Sequence, residues 1–229
     1  MIKAALIDMD GVLYDSMKYH TLAWQRMMSE RGVECDRDEF YLYEGMTGAA
    51  TINLLFRRAF GRDCDPEEAR RLYERKSELF REIGKRVPMP GCAELLRQLK
   101  EAAVRCVLVT GSGQGSLLDA INEDYPGVFD PADRVTARDV KHGKPDPEPY
   151  LKGLEIAGVE PHEAIVIENA PLGVRAGKAA GLYTVAITTG PIPREEFIKE
   201  RADVIFPSMP AAAERIGEIM KSLPQPRLS

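Results

Sequence analysis

Apolar residues recur along this chain at two different periods, and the change of period divides it. The run Ile2, Ala4, Ala5, Leu6, Ile7 is too short for a helix and stops at Asp8-Met9-Asp10-Gly11, which predicts a strand buried on both faces with acids at its C-terminal end. Residues 16–32 then carry Met17, Tyr19, His20, Leu22, Trp24, Met27 and Met28 at helical spacing, with Gly32 as the stop. Helical stripes follow over 36–43, 48–60 and 66–85, the last opened by Asp65-Pro66, a cap and a first-turn proline. No strand interrupts them. Beyond Val87-Pro88-Met89-Pro90-Gly91, a stiff link of the kind that returns a chain from an inserted domain, helices over 92–102, 116–123, 147–157, 172–180 and 209–221 alternate with strands over 104–110, 134–137, 164–168, 183–187 and 203–206. Such alternation predicts an α/β fold: a doubly wound, mostly parallel Rossmann-like sheet. The expected division is a core of residues 1–15 and 88–229 and an inserted small all-helical cap of residues 16–87, with hinges near Asp15-Ser16 and Val87-Pro88 and a loose tail over 224–229.

Composition narrows the classes of partner. A chain of 229 residues with 44% hydrophobic residues can bury a sizeable core. Its net charge of -5 argues against nucleic acid and anionic membranes, since neither offers counterion release to an acidic protein. Cys35, Cys64, Cys92 and Cys106 are widely spaced, without Cys-x-x-Cys or a nearby pair of histidines. They read as reduced thiols of a cytoplasmic protein, and zinc is not expected. No stretch approaches membrane-spanning length, and Asp8 breaks the first apolar run too early for a signal peptide. A monomer is expected.

Chemistry is concentrated at the ends of the expected strands, the edge at which open α/β sheets bind ligands. Asp8 and Asp10, two apart, point to the same side of an extended chain and converge on one point. Oxygen ligands of this kind suit Mg²⁺, and an Asp can also carry a phosphoryl group as a nucleophile. Thr110-Gly111-Ser112-Gly113 adds a hydroxyl and a loop whose N–H groups can hold phosphate oxygens. Lys144-Pro145-Asp146-Pro147 presents a lysine from a stiffened loop, and Glu168-Asn169 offers one anionic and one neutral oxygen ligand to a hard cation. Seen singly, each has an ordinary reading: a polar turn, a strand-to-helix turn, a solvated lysine, a helix cap.

Taken together they resemble the haloacid dehalogenase superfamily of phosphohydrolases, in its branch with a small helical cap, the β-phosphoglucomutase-like branch. The carriers are Asp8-Met9-Asp10-Gly11-Val12-Leu13-Tyr14-Asp15-Ser16, Thr110-Gly111-Ser112, Gly143-Lys144-Pro145-Asp146-Pro147 and the run from Ile167 to Gly177. The resemblance implies Mg²⁺ as cofactor, Asp8 as nucleophile and Asp10 as general acid/base. It implies Thr110 and Lys144 as phosphate ligands, with Gly111 and Ser112 beside them, and Glu168 with Asn169 as the metal-side loop. His20 matches a cap histidine that couples closure to catalysis.

Two departures bear on the substrate, which is expected to be a small phosphorylated molecule. The family usually has an acid where this chain has Asn169, and the mutases have basic residues where this chain has Tyr43-Glu44-Gly45-Met46-Thr47-Gly48. A carboxylate there repels a second phosphate, but over a metal it restores the charge that Asn169 lacks. That pairing resembles the Bacteroides-type inorganic pyrophosphatase of the superfamily. Pyrophosphate hydrolysis is therefore the leading expectation, and β-phosphoglucomutase or a small sugar-phosphate phosphatase the alternative.

Overall fold

The first strand, β1 (Ala4–Ile7), is buried at all four positions and lies inside the sheet because both of its edges are paired. It runs parallel to β2 (Arg105–Val109) on one side and to β4 (Ala164–Glu168) on the other. With β3 (Arg134–Val135), β5 (Tyr183–Ile187) and β6 (Val204–Phe206), it forms a six-stranded parallel sheet in the order β3-β2-β1-β4-β5-β6. The order reverses at β1, so a crevice opens outside its C-terminal end. The register sets Ile7 beside Leu108 and Ile167, which leaves Asp8 level with the ends of β2 and β4. The computed structural model describes residues 1–112 and 115–223, with the backbone only over 115–119. Gly113 of the expected phosphate loop and the tail 224–229 lie outside the described residues.

Alternate residues of β1 feed two cores. Ala5 and Ile7 join the cluster beneath α5 (Cys92–Glu101) and α10 (Met209–Ser222), whereas Ala4 and Leu6 join the one beneath α7 (Glu148–Ala157). That is the doubly wound arrangement expected from the alternation. α6 (Gly115–Asp124) and α8 (Pro171–Ala179) complete the expected helices. One helix was not expected, α9 (Arg194–Lys199), which buries Phe197 alone and so leaves no stripe to read.

The helical insert lies between β1 and β2: α1 (Met17–Ser29), α2 (Glu39–Leu42), α3 (Gly48–Phe60) and α4 (Pro66–Ile83), with α1 and α3 packed on α4. α2 is shorter than expected, because around Asp36 the backbone turns instead, the Asp38 N–H donating to the Asp36 carboxylate. The two chain crossings run side by side: Asp15 N–H donates to Val87 O at 2.9 Å and Met89 N–H to Leu13 O at 2.8 Å. Four free cysteines are present, and among the described residues no helix is long and apolar enough to cross a membrane.

Candidate active site

Asp8 is held by a buried lysine. Lys144 Nζ donates to Asp8 Oδ1 at 2.5 Å, to Glu168 Oε1 at 2.6 Å and to the Val109 carbonyl at 3.0 Å, which uses its three donors. Burial works against the ammonium, but the carboxylates of Asp8 and Glu168 hold its pKa above the ordinary lysine value. Burial pushes the Asp8 carboxyl up to about 8, against the pull of Lys144 and with help from Glu168 and Asp10. Glu168 is occupied on both oxygens: Oε1 also accepts from Tyr150 Oη at 2.8 Å, and Oε2 accepts from the N–H groups of Asn169 and Ala170 at 2.9 and 3.1 Å. The sequence reading did not single out Tyr150, a buried position on the stripe of α7.

Asp10 faces the insert. Its Oδ1 accepts from Ser16 Oγ at 2.5 Å and lies 3.0 Å from His20 Nε2, while the other His20 nitrogen lies 2.6 Å from Lys76 Nζ. The His20 ring stacks on Phe80, with centroids 3.9 Å apart. Lys76 is a site residue that the sequence reading missed. Its signal was there: on α4 it falls in register with Leu72, Leu79 and Phe80, so a lysine occupies the apolar stripe.

On the opposite side Glu44 is buried, and Asn169 Nδ2 donates to both of its oxygens at 3.1 Å. Burial and the neighbouring Asp8, Glu168 and Asp10 raise the Glu44 pKa well above the carboxylate range. Asn169 Oδ1 is buried and has no hydrogen-bond partner among the described residues. Gly11 makes room for this side chain: with φ +82 it has no Cβ, and one placed there would sit 2.0 Å from Asn169 Nδ2. Four buried carboxylates, Asp8, Asp10, Glu44 and Glu168, thus meet only two buried ammonium groups, Lys144 and Lys76. The clustered carboxyl oxygens and the orphaned amide oxygen are hard donors of the kind that a divalent cation such as Mg²⁺ takes. No three acidic, histidine or cysteine side chains cage a single point among the described residues.

Thr110 closes the site on the β2 side, its Oγ1 accepting from the Ser112 N–H at 3.0 Å. Asp8, Asp10, His20, Glu44, Thr110, Gly111 and Ser112 line one cavity of about 60 Å³ together with Lys76. The described residues expected to form the site are therefore gathered at one point, Lys144 and Asn169 forming its floor through their bonds to Asp8 and Glu44, with Glu168 bonded to Lys144.

The site thus sets a lysine-held, buried aspartate at the switch point of a parallel sheet, faced by a helical insert. The chain belongs to the haloacid dehalogenase-like hydrolases, whose family model matches residues 2–181. It is 28% identical over 197 residues to the beta-phosphoglucomutase of Bacillus subtilis, covering 82% of this chain and 84% of that one. It is 31% identical to a phosphorylated carbohydrates phosphatase of Thermotoga maritima, covering 80% and 84%. Among solved structures, a Bacteroides vulgatus protein described provisionally as a beta-phosphoglucomutase superposes with a TM-score of 0.94 at 45% identity, covering 98% of this chain and 91% of that one.

Proposed function

We propose that this hydrolase is a Mg²⁺-dependent phosphatase of small phosphorylated molecules, working through an aspartyl-phosphate on Asp8. The carrying observation is the placement of Asp8 between Lys144 and Asp10 at the edge of one small cavity. An Asp8 carboxylate oxygen attacks phosphorus, the bond to the leaving oxygen breaks, and Asp10 donates the proton that the leaving group takes. Asp10, now a carboxylate, removes a proton from water, which attacks the phosphorus and frees Asp8 and inorganic phosphate. Lys144 orients Asp8 and offsets its charge, and the Thr110 hydroxyl and the adjacent loop amides receive phosphate oxygens. Asp8, Asp10 and Asn169 Oδ1, with Glu44 alongside, would hold a Mg²⁺ ion, which would neutralise charge between the carboxylates and the incoming phosphate. Residues 16–87 act as the lid, swinging on the paired linkers to exclude water.

For the substrate, the relatives point to phosphate monoesters of sugars or short polyols. Hydrolysis is favoured over a mutase reaction because residues 43–48 offer an acid, Glu44, and no base for the second phosphate of a sugar bisphosphate. A second reading is inorganic pyrophosphate, favoured by one observation: Glu44 is seated on Asn169 over a cavity of about 60 Å³, far below the several hundred Å³ typical of pockets for larger ligands. Assay of sugar phosphates, glycerol phosphates and pyrophosphate with Mg²⁺ separates the two. Higher kcat/KM on the monoesters supports the first reading, dominance of pyrophosphate replaces it with the second, and net interconversion of a hexose phosphate overturns both.

A further inference from the structure

The cap loop crosses the core loops at places where side chains are missing. A Cβ on Gly143 would lie 2.8 Å from Thr47 Cγ2 and 2.9 Å from the Thr47 backbone N, and one on Gly111 would lie 2.9 Å from the Gly45 carbonyl oxygen. In both cases the three nearest atoms all belong to the cap loop. Neither glycine has a positive φ, so the local backbone accepts an L-residue at either position and only the seated cap excludes one. Gly45 differs, because its φ of +90 calls for glycine whatever lies nearby. Apart from Thr47 Cγ2 the obstacles are backbone atoms, which cannot rotate aside as a side-chain tip can.

We propose that Gly111 and Gly143 are specificity-determining residues: as bare crossings they let the loop carrying Glu44 seat flush on the core, and so size the closed site for the smallest phosphorylated substrates. This rests on the reading of residues 16–87 as a lid over Asp8. Gly143 takes no part in the chemistry. A methyl group there holds the Thr47 end of α3 back by a few tenths of an ångström, which lifts Glu44 from Asn169 and leaves the floor of Asp8, Lys144 and Glu168 unchanged. A large substrate that already holds the cap back feels little of this, whereas a small one loses the closed geometry on which its orientation depends, at a cost of about tenfold, short of the ~10²-fold associated with a 1 Å misplacement.

The test is Gly143→Ala, with Gly111→Ala as a second wedge at the other crossing should the first fail to fold. Two quantities are read: the ratio of kcat/KM for pyrophosphate or glycerol phosphate to that for a hexose 6-phosphate, and the distance between probes on α3 and α7 in the presence of Mg²⁺ and beryllium fluoride as the phosphoryl mimic. Expected are a ratio lowered roughly tenfold and a probe distance that stays longer than in the wild type. Adding Thr47→Ser, which removes Cγ2 and keeps the capping hydroxyl that accepts from Ala50 N–H, recovers part of both. Wild-type closure in the variants overturns the proposal, whether or not the ratio moves. If the wild-type protein turns over neither class of substrate, the functional reading fails, and the distance measurement still decides the role of the crossings.

Discussion

Lys76 sets the tautomer of His20. Its Nζ lies 2.6 Å from His20 Nδ1, and an ammonium group only donates, so Nδ1 accepts and the ring proton sits on Nε2, directed at Asp10 Oδ1 3.0 Å away. Burial and the charge of Lys76 hold the His20 pKa below its ordinary value, so the ring stays neutral at pH 7. Burial alone would raise the Asp10 pKa, but His20, Ser16 and Lys76 outweigh it and hold the carboxyl below the usual range. Asp10 therefore rests as the base required for the water step, and its acid form is the scarcer one.

Replacing Asp10 by Asn removes proton transfer and is expected to lower kcat by about 10² to 10⁴. The loss should be greatest with alkyl monoesters, whose leaving oxygen needs a proton, and smaller with pyrophosphate. Parallel rates on the two substrates, wild type against variant, check this; equal losses would remove the acid role.

Lys76→Met is expected to stabilise the fold at pH 7 while lowering turnover. Burial depresses the Lys76 pKa to about 8 from 10.5, so between these values the unfolded chain binds more protons and stability rises with pH. Below pH 8 the full penalty is present, and an apolar side chain removes it, a gain of about 1–3 kcal/mol. Urea denaturation at pH 7 and pH 10 reads the difference: the advantage of the variant should shrink at the higher pH.

What the sequence disclosed, and what it hid, follows from how each residue is buried. β4 and β5 are continuous apolar runs, and their observed bounds coincide with the expected ones. The acids of β1 and the Thr110 and Lys144 loops stand out because polar residues interrupt such runs. Lys76 was hidden among Arg70, Arg71, Glu74 and Arg75 on a helix whose other charges are exposed or half-buried, so only its place on the stripe could separate it from them. The role of Glu168 was hidden for a different reason. Sequence shows that an acid ends β4, but only the three-dimensional partners show both of its oxygens committed to Lys144, Tyr150 and backbone amides. The seating of Glu44 on Asn169 joins residues from two distant segments and has no local signature.

Breaking the Lys144 cluster is expected to cost stability as well as rate. Lys144→Met leaves the carboxylates of Asp8 and Glu168 buried without their shared cation, a loss of about 3–5 kcal/mol. Added Mg²⁺ should restore part of the stability and little of the turnover. Thermal unfolding with and without the metal checks it, and a variant as stable as the wild type would contradict the electrostatic account.

Glu44→Gln keeps the shape of the side chain and takes away the carboxyl group that a cation beside Asn169 would draw into its ionised form. Weaker Mg²⁺ binding by calorimetry is expected, with a drop in turnover recovered in part at high metal concentration. Unchanged metal affinity would take Glu44 out of the metal environment.

The central claim, that Asp8 carries the phosphoryl group, is tested most directly by rapid acid quench of the enzyme turning over a phosphate-labelled substrate with Mg²⁺, followed by peptide mapping. The expected result is label on the peptide containing Asp8, lost on treatment with hydroxylamine as an acyl phosphate is, and neither label nor turnover in Asp8→Asn. Turnover by Asp8→Asn at near the wild-type rate, or label on another residue, would contradict it.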